Sequence, residues 1–440
     1  TIPQEVRGGL VTFFAMAYII VLNPLIIGGF SADQAAVDVE GGWLPNAQVA
    51  AVTALVGGLM TIAMGLVANV PFGLAAGLGI NSFLAFTLVG ELTWPEAMGL
   101  VVVNGVLIVV LSVTGLRRRI FEAIPAELKS AIAVGVGLFI AFIGFVDSGF
   151  VRTTELASPP LQLGEGGSIT ALPTIVFLVA LAIMGILVAR RVRGALLIGI
   201  VVATVLAIAA QALWPVGPAF EVGVGGWNLA APALPTALVS LPDLSLVGQV
   251  DPFGAFARVG PVAASMLVFT LFFLNFFDAM GSMTGLAKQA GIAAPDGTFP
   301  GLKRALVVEG VGAIAGGGAS ASSNTVFIDS AAGIGEGART GLASVVTGAL
   351  FLAAMFLTPL TQIVPLEVAA ATLVIVGALM MSQIRDIDFT DFRVALPAFL
   401  TIVVMPLTYN IANGIGVGFI AWVLVHAVSG RARTISPLLW

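Results

Sequence analysis

Long apolar segments recur along the whole chain and constrain its fold more than any other feature. A membrane-spanning helix needs about 20 mostly apolar residues. Eleven segments of that kind lie near residues 9–30, 47–69, 95–115, 128–147, 169–189, 194–214, 261–287, 340–363, 366–384, 392–409 and 412–428. With 59% of its 440 residues hydrophobic and 9% charged, the chain carries more apolar surface than a soluble fold can bury. We therefore expect an all-α integral membrane protein.

The positions of the basic residues predict the number of spans. Three further stretches, 71–90, 301–317 and 321–336, are apolar but short or interrupted by glycine, and counting them gives fourteen spans. If both termini are cytoplasmic, 16 of the 18 basic residues fall on the cytoplasmic side: Arg7, Arg117, Arg118, Arg119, Lys129, Arg190, Arg191, Arg193, Lys288, Lys303, Arg304, Arg339, Arg385, Arg393, Arg431 and Arg433. Only Arg152 and Arg258 fall outside. This asymmetry is typical of a multi-pass protein in a cell membrane.

A long connection rich in proline and glycine divides the fourteen spans into two sets of seven. We predict a first repeat at 1–220, an extracytoplasmic connection at 221–255 and a second repeat at 256–440. An odd number of spans per repeat forces the two repeats into opposite orientations, which is how many secondary transporters are built.

The third span of each repeat is interrupted by glycine. The sequence has Pro71–Gly73 and Gly77–Gly79 in the first repeat, and Gly316–Gly318 and Gly333–Gly335 in the second. We expect each broken span to contain a short extended stretch followed by a half helix, since irregular backbone survives at membrane depth only in a protein-lined or polar setting. Paired broken spans at matching positions indicate a substrate site.

Three polar residues are expected near the starts of the two half helices. They are Asn81 in the third span, and Thr325 and Asp329 in the tenth. Helix N-termini favour acceptor atoms and negative charge, which suits a binding site. The alternative for Asn81 and Asp329 is that they cap the helices. A carboxylate at the bilayer centre costs about 2.5–3.5 kcal/mol, so the sequence favours a functional role for Asp329.

Acidic residues inside the apolar segments are candidates for carrying a proton. Asn275 and Asp278 lie three residues apart in the eighth span and share a helical face, with no Lys or Arg within one turn. Asp278 can therefore bind and release a proton, although a structural hydrogen bond between helices is the alternative. Glu309, among small residues in the ninth span, is expected to support the site. The chain has no cysteine and one histidine, so we expect neither a metal, a cofactor nor an enzyme.

Several motifs, in order and over nearly the whole chain, resemble the azaguanine and hypoxanthine (purine) permease branch of the nucleobase:cation symporter 2 family. They are Phe14–Ile20 with Asn23–Pro24, Gly77–Asn81, Phe277–Asp278 followed by Gly281, Asp329–Gly333 running on to Arg339–Gly341, and Pro406–Gly414. Each motif is weak alone, but together they are specific to this branch.

The resemblance implies a core domain of spans 1–4 and 8–11 and a gate domain of spans 5–7 and 12–14. A purine would bind between the third, eighth and tenth spans and enter with a proton by alternating access. By motif match Asn81, Asp278 and Asp329 would bind the base or couple it to protons, and backbone near Ile328 would donate N–H groups. Two residues depart from the family pattern, because Asp329 stands where Glu is usual and Asn275 where Asp is usual.

The resemblance leaves the exact substrate and assembly open. Guanine or hypoxanthine and adenine are the expected bases, and xanthine, a pyrimidine base or an anion carried by the same fold are the alternatives. The expected partners are the base, a proton and the bilayer. A homodimer is left open, and no nucleic acid is expected.

Overall fold

The computed structural model describes residues 1–32, 35–116, 124–154, 159–217, 226–228, 231–234, 237–294 and 298–431. The basic run Arg117–Arg119, as well as Arg433, lies outside these residues.

The first half of the chain is helical apart from a short strand in the middle and a small hairpin. Its elements are α1 Ile2–Met16, α2 Ile19–Ile27, α3 Asn46–Ala63, β1 Leu74–Ala76, α4 Leu78–Phe83, α5 Trp94–Thr114, α6 Ala126–Asp147, β2 Val151–Thr153, β3 Leu161–Leu163, α7 Leu172–Ala189 and α8 Ala195–Leu213. Wider π-type turns prolong α3 through Ala68 and α4 through Leu88. The antiparallel β2–β3 hairpin was not predicted from the sequence.

The second half contains the same order of a long helix pair, a strand and a short helix. Its elements are α9 Gly254–Arg258, α10 Pro261–Gln289, α11 Leu302–Gly318, β4 Asn324–Val326, a 3₁₀ turn Ile328–Ser330, α12 Ala331–Gly335, α13 Gly341–Ala354, α14 Thr358–Thr361, α15 Leu366–Met380, α16 Phe392–Leu407 and α17 Ile411–His426. Gly316–Gly318, which we expected in the broken tenth span, instead end α11.

Ten helical segments in the described part of the chain are long and apolar enough to cross a membrane. Two shorter apolar helices, Leu78–Leu88 and Phe392–Leu407, lie between them. The prediction of an all-helical membrane protein is therefore confirmed. The extended stretches expected in both broken segments are present as β1 and β4.

Contacts between residues near the ends of the helices define two ends of the helix bundle. At one end, which we call the basic face, Arg7 and Arg193 meet at Glu336, and the Asn69 side chain accepts a hydrogen bond from the amide of Gly341. At the other end, which we call the acidic face, Gln48 donates to Asp243. Arg258 pairs there with Glu40 and Glu96.

The helices pack in two groups. In one, α5 lies along α11, and α13 along α3 and α1; in the other, α15 and α16 lie along α6, and α7 along α8. Small residues permit the closest approaches, since a Cβ on Gly341 would lie 1.9 Å from the Gly65 carbonyl oxygen. This arrangement places β1, β4 and α10 within the first group.

The first span is interrupted before its proline. Pro24 lies inside α2, while the helix is interrupted one to two turns earlier, at Ala17 and Tyr18. Proline removes the hydrogen bond to the carbonyl four residues before it, which here belongs to Ile20 within α2, so the interruption does not coincide with the bond that Pro24 removes. The interruption brings Tyr18 towards the segment that follows β4.

Candidate functional site

Two short strands pair in antiparallel fashion in the interior of the bundle and set the position of the site. Leu74, Ala75 and Ala76 of β1 pair with Val326, Thr325 and Asn324 of β4, and all six are buried. In a sheet of only two strands, pairing provides hydrogen bonds for some of the backbone N–H and C=O groups. Neighbouring side chains provide hydrogen bonds for others. The hydroxyl of Thr61 in α3 donates to the Leu74 carbonyl at 3.0 Å and accepts from the Leu74 amide at 2.9 Å.

A serine and a backbone bond fasten the turn after β4 to the start of β1. The amide of Gly73 donates to Ser330 Oγ at 2.9 Å, and this hydroxyl donates to the Phe327 carbonyl at 2.7 Å. The amide of Phe327 in turn donates to the Gly73 carbonyl at 3.0 Å. The 3₁₀ turn carrying Asp329 is therefore held in a fixed position relative to the strands.

Asp278 of α10 lies beside the start of the α4 half helix. Its Oδ2 atom is 3.7 Å from the position that a Cβ on Gly77 would occupy, and the Thr325 methyl is 3.0 Å from the same point. Glycine at 77 thus lets α10, β4 and α4 meet. The Asp278 carboxyl also interacts electrostatically with Glu309 of α11.

Asp329 lies in the 3₁₀ turn after β4 and accepts a hydrogen bond from Tyr18. The distance from Tyr18 Oη to Asp329 Oδ2 is 3.3 Å. Tyr18 belongs to a motif that carried the family resemblance, but sequence reasoning did not identify it as a site residue. A buried tyrosine usually needs a partner for its hydroxyl, and that rule was the available signal.

Access to the two acids is one-sided. Along the face of α10 that carries Asp278, the residues towards the basic face, Gly281, Gly285 and Gln289, are exposed. Towards the acidic face, the residues one and two turns away, Leu274 and Leu271, are buried. A carboxylate that faces lipid would be costly, so we infer that this exposed strip lines a water-filled vestibule. The side chain of Ile328, next to Asp329, is 54% exposed, and its Cδ1 lies 3.7 Å from the position that a Cβ on Gly285 would occupy.

An aromatic cluster lies where the two groups of helices meet. The Tyr409 ring, between α16 and α17, contacts Phe86 after α4 and Phe139 of α6, each at 5.4 Å between ring centroids. Phe142 adds a third edge contact at 6.0 Å. These edge-to-face contacts join a helix of each group.

The other predicted site residues lie behind the opening, in the protein interior. Asn81, Asn275 and Glu309 are fully buried, and Thr325 is 1% exposed. Within the part of the chain that the structure describes, the amide groups of Asn81 and Asn275 and the hydroxyl of Thr325 have no hydrogen-bond partner. Of the predicted site residues, Asp278 and Ile328 are thus exposed and Asp329 is partly exposed, whereas these four are buried.

The capping alternative for Asn81 and Asp329 is wrong. The α4 helix begins at Leu78 with Gly77 as its N-cap residue, so Asn81 lies one turn inside the helix. The turn after β4 begins at Ile328 with Phe327 as its N-cap residue, and neither cap position carries a side-chain hydrogen bond.

The spacing of three residues between Glu336 and Arg339 predicts an ion pair between them, and this prediction is wrong. Glu336 is buried and binds Arg7 at 2.8 Å, as well as Arg193 from the loop between α7 and α8. Arg339 instead donates from Nη1 to the carbonyls of Ile334 and Ala338, each at 2.6 Å.

The chain has the features of a class of helical membrane transporters. In the middle of the chain's two halves, a short strand is followed by a short helix, and the two strands pair in the interior of the helix bundle. The chain superimposes on the transmembrane domain of the cyanobacterial bicarbonate transporter BicA with a TM-score of 0.64, covering 96% of this chain and 97% of that one at 14% identity. It also matches SLC26A9, with a TM-score of 0.60 over 97% of this chain and 66% of the other. These likenesses concern the fold.

Sequence comparison gives the family. Residues 3–417 match the model of the Permease family, and the chain belongs to this family. The guanine/hypoxanthine permease PbuG of Bacillus subtilis is 34% identical over 99% of this chain and 93% of its own length. The adenine permease AdeP of Escherichia coli is 33% identical over 99% of this chain and 90% of its own. The family resemblance predicted from the motifs is confirmed, and so is the prediction of a transporter, not an enzyme.

Proposed function

We propose that this chain takes up purine nucleobases, either guanine and hypoxanthine or adenine, by proton symport with alternating access. The observation that carries the proposal is a pair of acids beside the paired strands β1 and β4: Asp278 is exposed and Asp329 is partly exposed. Relatives named as guanine/hypoxanthine and adenine permeases, matched over nearly their whole length, support the choice of purines.

In the proposed mechanism the two acids have different roles. Asp329 accepts hydrogen bonds from purine N–H groups, and backbone N–H groups near Ile328 and at the start of α4 donate to ring nitrogens or an exocyclic oxygen. Asp278 takes up the co-transported proton. Among the described residues no Lys or Arg lies within 4 Å of either carboxylate, which is consistent with a proton as the neutralising charge.

The buried polar residues support these two acids in the proposed mechanism. Asn81 lies one turn inside α4, and Thr325 lies in β4. Both residues help to form the wall against which a flat base rests. Asn275, one turn before Asp278, and Glu309, which interacts electrostatically with it, tune the coupling site.

The proposal includes a topology. Fourteen spans form two inverted repeats of seven, with the connection at 221–255 outside the cell and the basic face and both termini in the cytoplasm. Spans 1–4 and 8–11 form the core, and the remaining spans form the gate. The basic residues at the face that carries the vestibule support this orientation, because Lys and Arg concentrate in cytoplasmic loops.

One proton provides enough free energy for substantial accumulation. A charge moving down 100 mV releases about 2.3 kcal/mol. At about 1.4 kcal/mol per tenfold, this supports roughly a 50-fold gradient of base.

Uptake of radiolabelled hypoxanthine, guanine and adenine in a host without its own purine permeases tests the proposal. We expect accumulation that collapses with a protonophore, and we expect Asp278→Asn to abolish accumulation. Asp388→Asn, which changes an exposed acid in a loop, serves as the matched control and should transport like the wild type. If Asp278→Asn still concentrates base as the wild type does, the coupling assignment is wrong.

Competition with unlabelled compounds separates the alternatives. Inhibition of uptake by xanthine, uracil or bicarbonate, but not by hypoxanthine or adenine, would replace the purine with another substrate of the same fold. An anion is disfavoured because the two side chains that face the vestibule from α10 and the turn after β4 are acidic, and like charges repel.

A further inference from the structure

Tyr18 joins the first span to the proposed substrate site through one hydrogen bond. Its hydroxyl donates to Asp329 Oδ2 at 3.3 Å, while its ring is 2% exposed and lies 6.4 Å from the ring of Phe327. Asp329 itself is partly exposed at the vestibule. The bond therefore reaches the carboxylate from the protein interior and leaves its other side open.

The backbone that carries Tyr18 is fixed against the tenth span on both sides of the contact. On one side, Asn23 Nδ2 donates to the Ala321 carbonyl at 3.1 Å. On the other, α1 packs so closely on α12 that a Cβ on Gly333 would lie 2.1 Å from Thr12 Oγ1. Tyr18 sits at the interruption between α1 and α2, so its hydroxyl comes from a rigid position.

A carboxylate on a short side chain needs such a contact to hold one orientation. The terminal torsion of aspartate is broad, so the backbone alone does not fix where its two oxygens point. A hydrogen bond from a buried, rigid donor selects one rotation before the ligand arrives. Groups held in this way bind more tightly because less freedom is lost on binding.

We infer that Tyr18 is a positioning residue for substrate recognition: it holds Oδ2 of Asp329 and thereby presents Oδ1 to the N–H edge of the base. This inference rests on the proposed purine site and adds the first span to it. Tyr18 does not touch the base in this arrangement and acts through Asp329.

The Tyr18→Phe variant removes the hydroxyl and keeps the ring. We expect KM for hypoxanthine uptake to rise about tenfold, in line with the loss of one hydrogen bond to a charged group, with the maximal rate within about twofold of the wild type. The chain has only one other tyrosine, Tyr409. Tyr409→Phe is thus the matched control, and its KM should equal that of the wild type.

A double-variant cycle separates positioning from a general effect on packing. Hypoxanthine binding to purified protein is measured for Tyr18→Phe, Asp329→Asn and the pair together. If Tyr18 acts through Asp329, Tyr18→Phe weakens binding in the wild-type background and has no further effect in the Asp329→Asn background. Equal weakening in both backgrounds, or an unchanged KM in Tyr18→Phe, overturns the inference.

A further measurement leaves Tyr18 unchanged, so it does not depend on whether a Tyr18 variant folds. Labelling tyrosine with ¹³C at the ring carbon that bears the hydroxyl gives two NMR signals, and Tyr409→Phe identifies one of them. Saturating hypoxanthine should shift the Tyr18 signal; an unchanged signal, with binding verified by competition, overturns the inference. Failure of the wild type to transport any purine would instead overturn the proposed function.

Discussion

Replacing Thr61 by valine should destabilise the paired strands β1 and β4. Thr61 itself does not face the vestibule. Thr61 is fully buried, and its hydroxyl satisfies both the amide and the carbonyl of Leu74, as a third strand would. Valine has nearly the same shape but offers neither a donor nor an acceptor. Each buried backbone group left without a partner costs about 1–3 kcal/mol, so the two groups together predict a loss of about 2–6 kcal/mol.

The matched control is Thr204→Val in α8. Thr204 is also buried, but its hydroxyl has no hydrogen-bond partner among the described residues, so valine should leave stability unchanged or raise it. We would compare melting temperatures of the purified variants in detergent, with and without hypoxanthine. Thr61→Val should melt well below both the wild type and Thr204→Val, and should bind hypoxanthine more weakly. If both variants melt together and bind like the wild type, the hydroxyl does not support β1.

Two further predictions concern glycines. A thiol introduced as Gly281→Cys, where no atom lies within 4 Å of the new Cβ, should react with an impermeant reagent applied from the basic face. Because the chain has no cysteine of its own, any label reports on position 281. Hypoxanthine should slow the reaction, and labelling only from the acidic face would contradict the proposed vestibule. Gly316→Ala should abolish uptake, since its Cβ would lie 1.9 Å from the Ser322 carbonyl oxygen that precedes β4. Gly318→Ala, with open space at its Cβ, is the control for uptake and should retain it.

The sequence predicted the features that depend on local composition. Apolar length identified the spans, and glycine and proline identified the two interrupted segments, because both signals act within one turn of a helix. Acids in apolar segments were identified in the same way; Asp278 is exposed and Asp329 is partly exposed, and their roles stay a prediction.

Partnerships between distant parts of the chain could not be predicted. Spacing suggested that Glu336 pairs with Arg339, but α12 ends at Gly335 and Gly337 has a φ of +101°, so the two side chains do not share a helical face. The partners of Glu336 come instead from the first span and from the α7–α8 loop. Likewise, no local pattern connects Tyr18 with Asp329.

The hydrogen bonds and ion pairs at the basic face affect how easily the two groups of helices can move apart in the proposed alternating access. Within the first group of helices, Glu5 accepts from the amides of Arg339 and Thr340, and these bonds travel with any rigid movement of the group. Arg193 belongs to the second group, so its bond to Glu336 must break when the groups move apart. The Arg193 side chain is 65% exposed, so solvent screens its charge, whereas the Glu336 side chain is 5% exposed and needs a cation that stays beside it. Since Arg7 stays with Glu336 during such a movement, the acid is never left without a cation, and the connection between the groups can open at little cost.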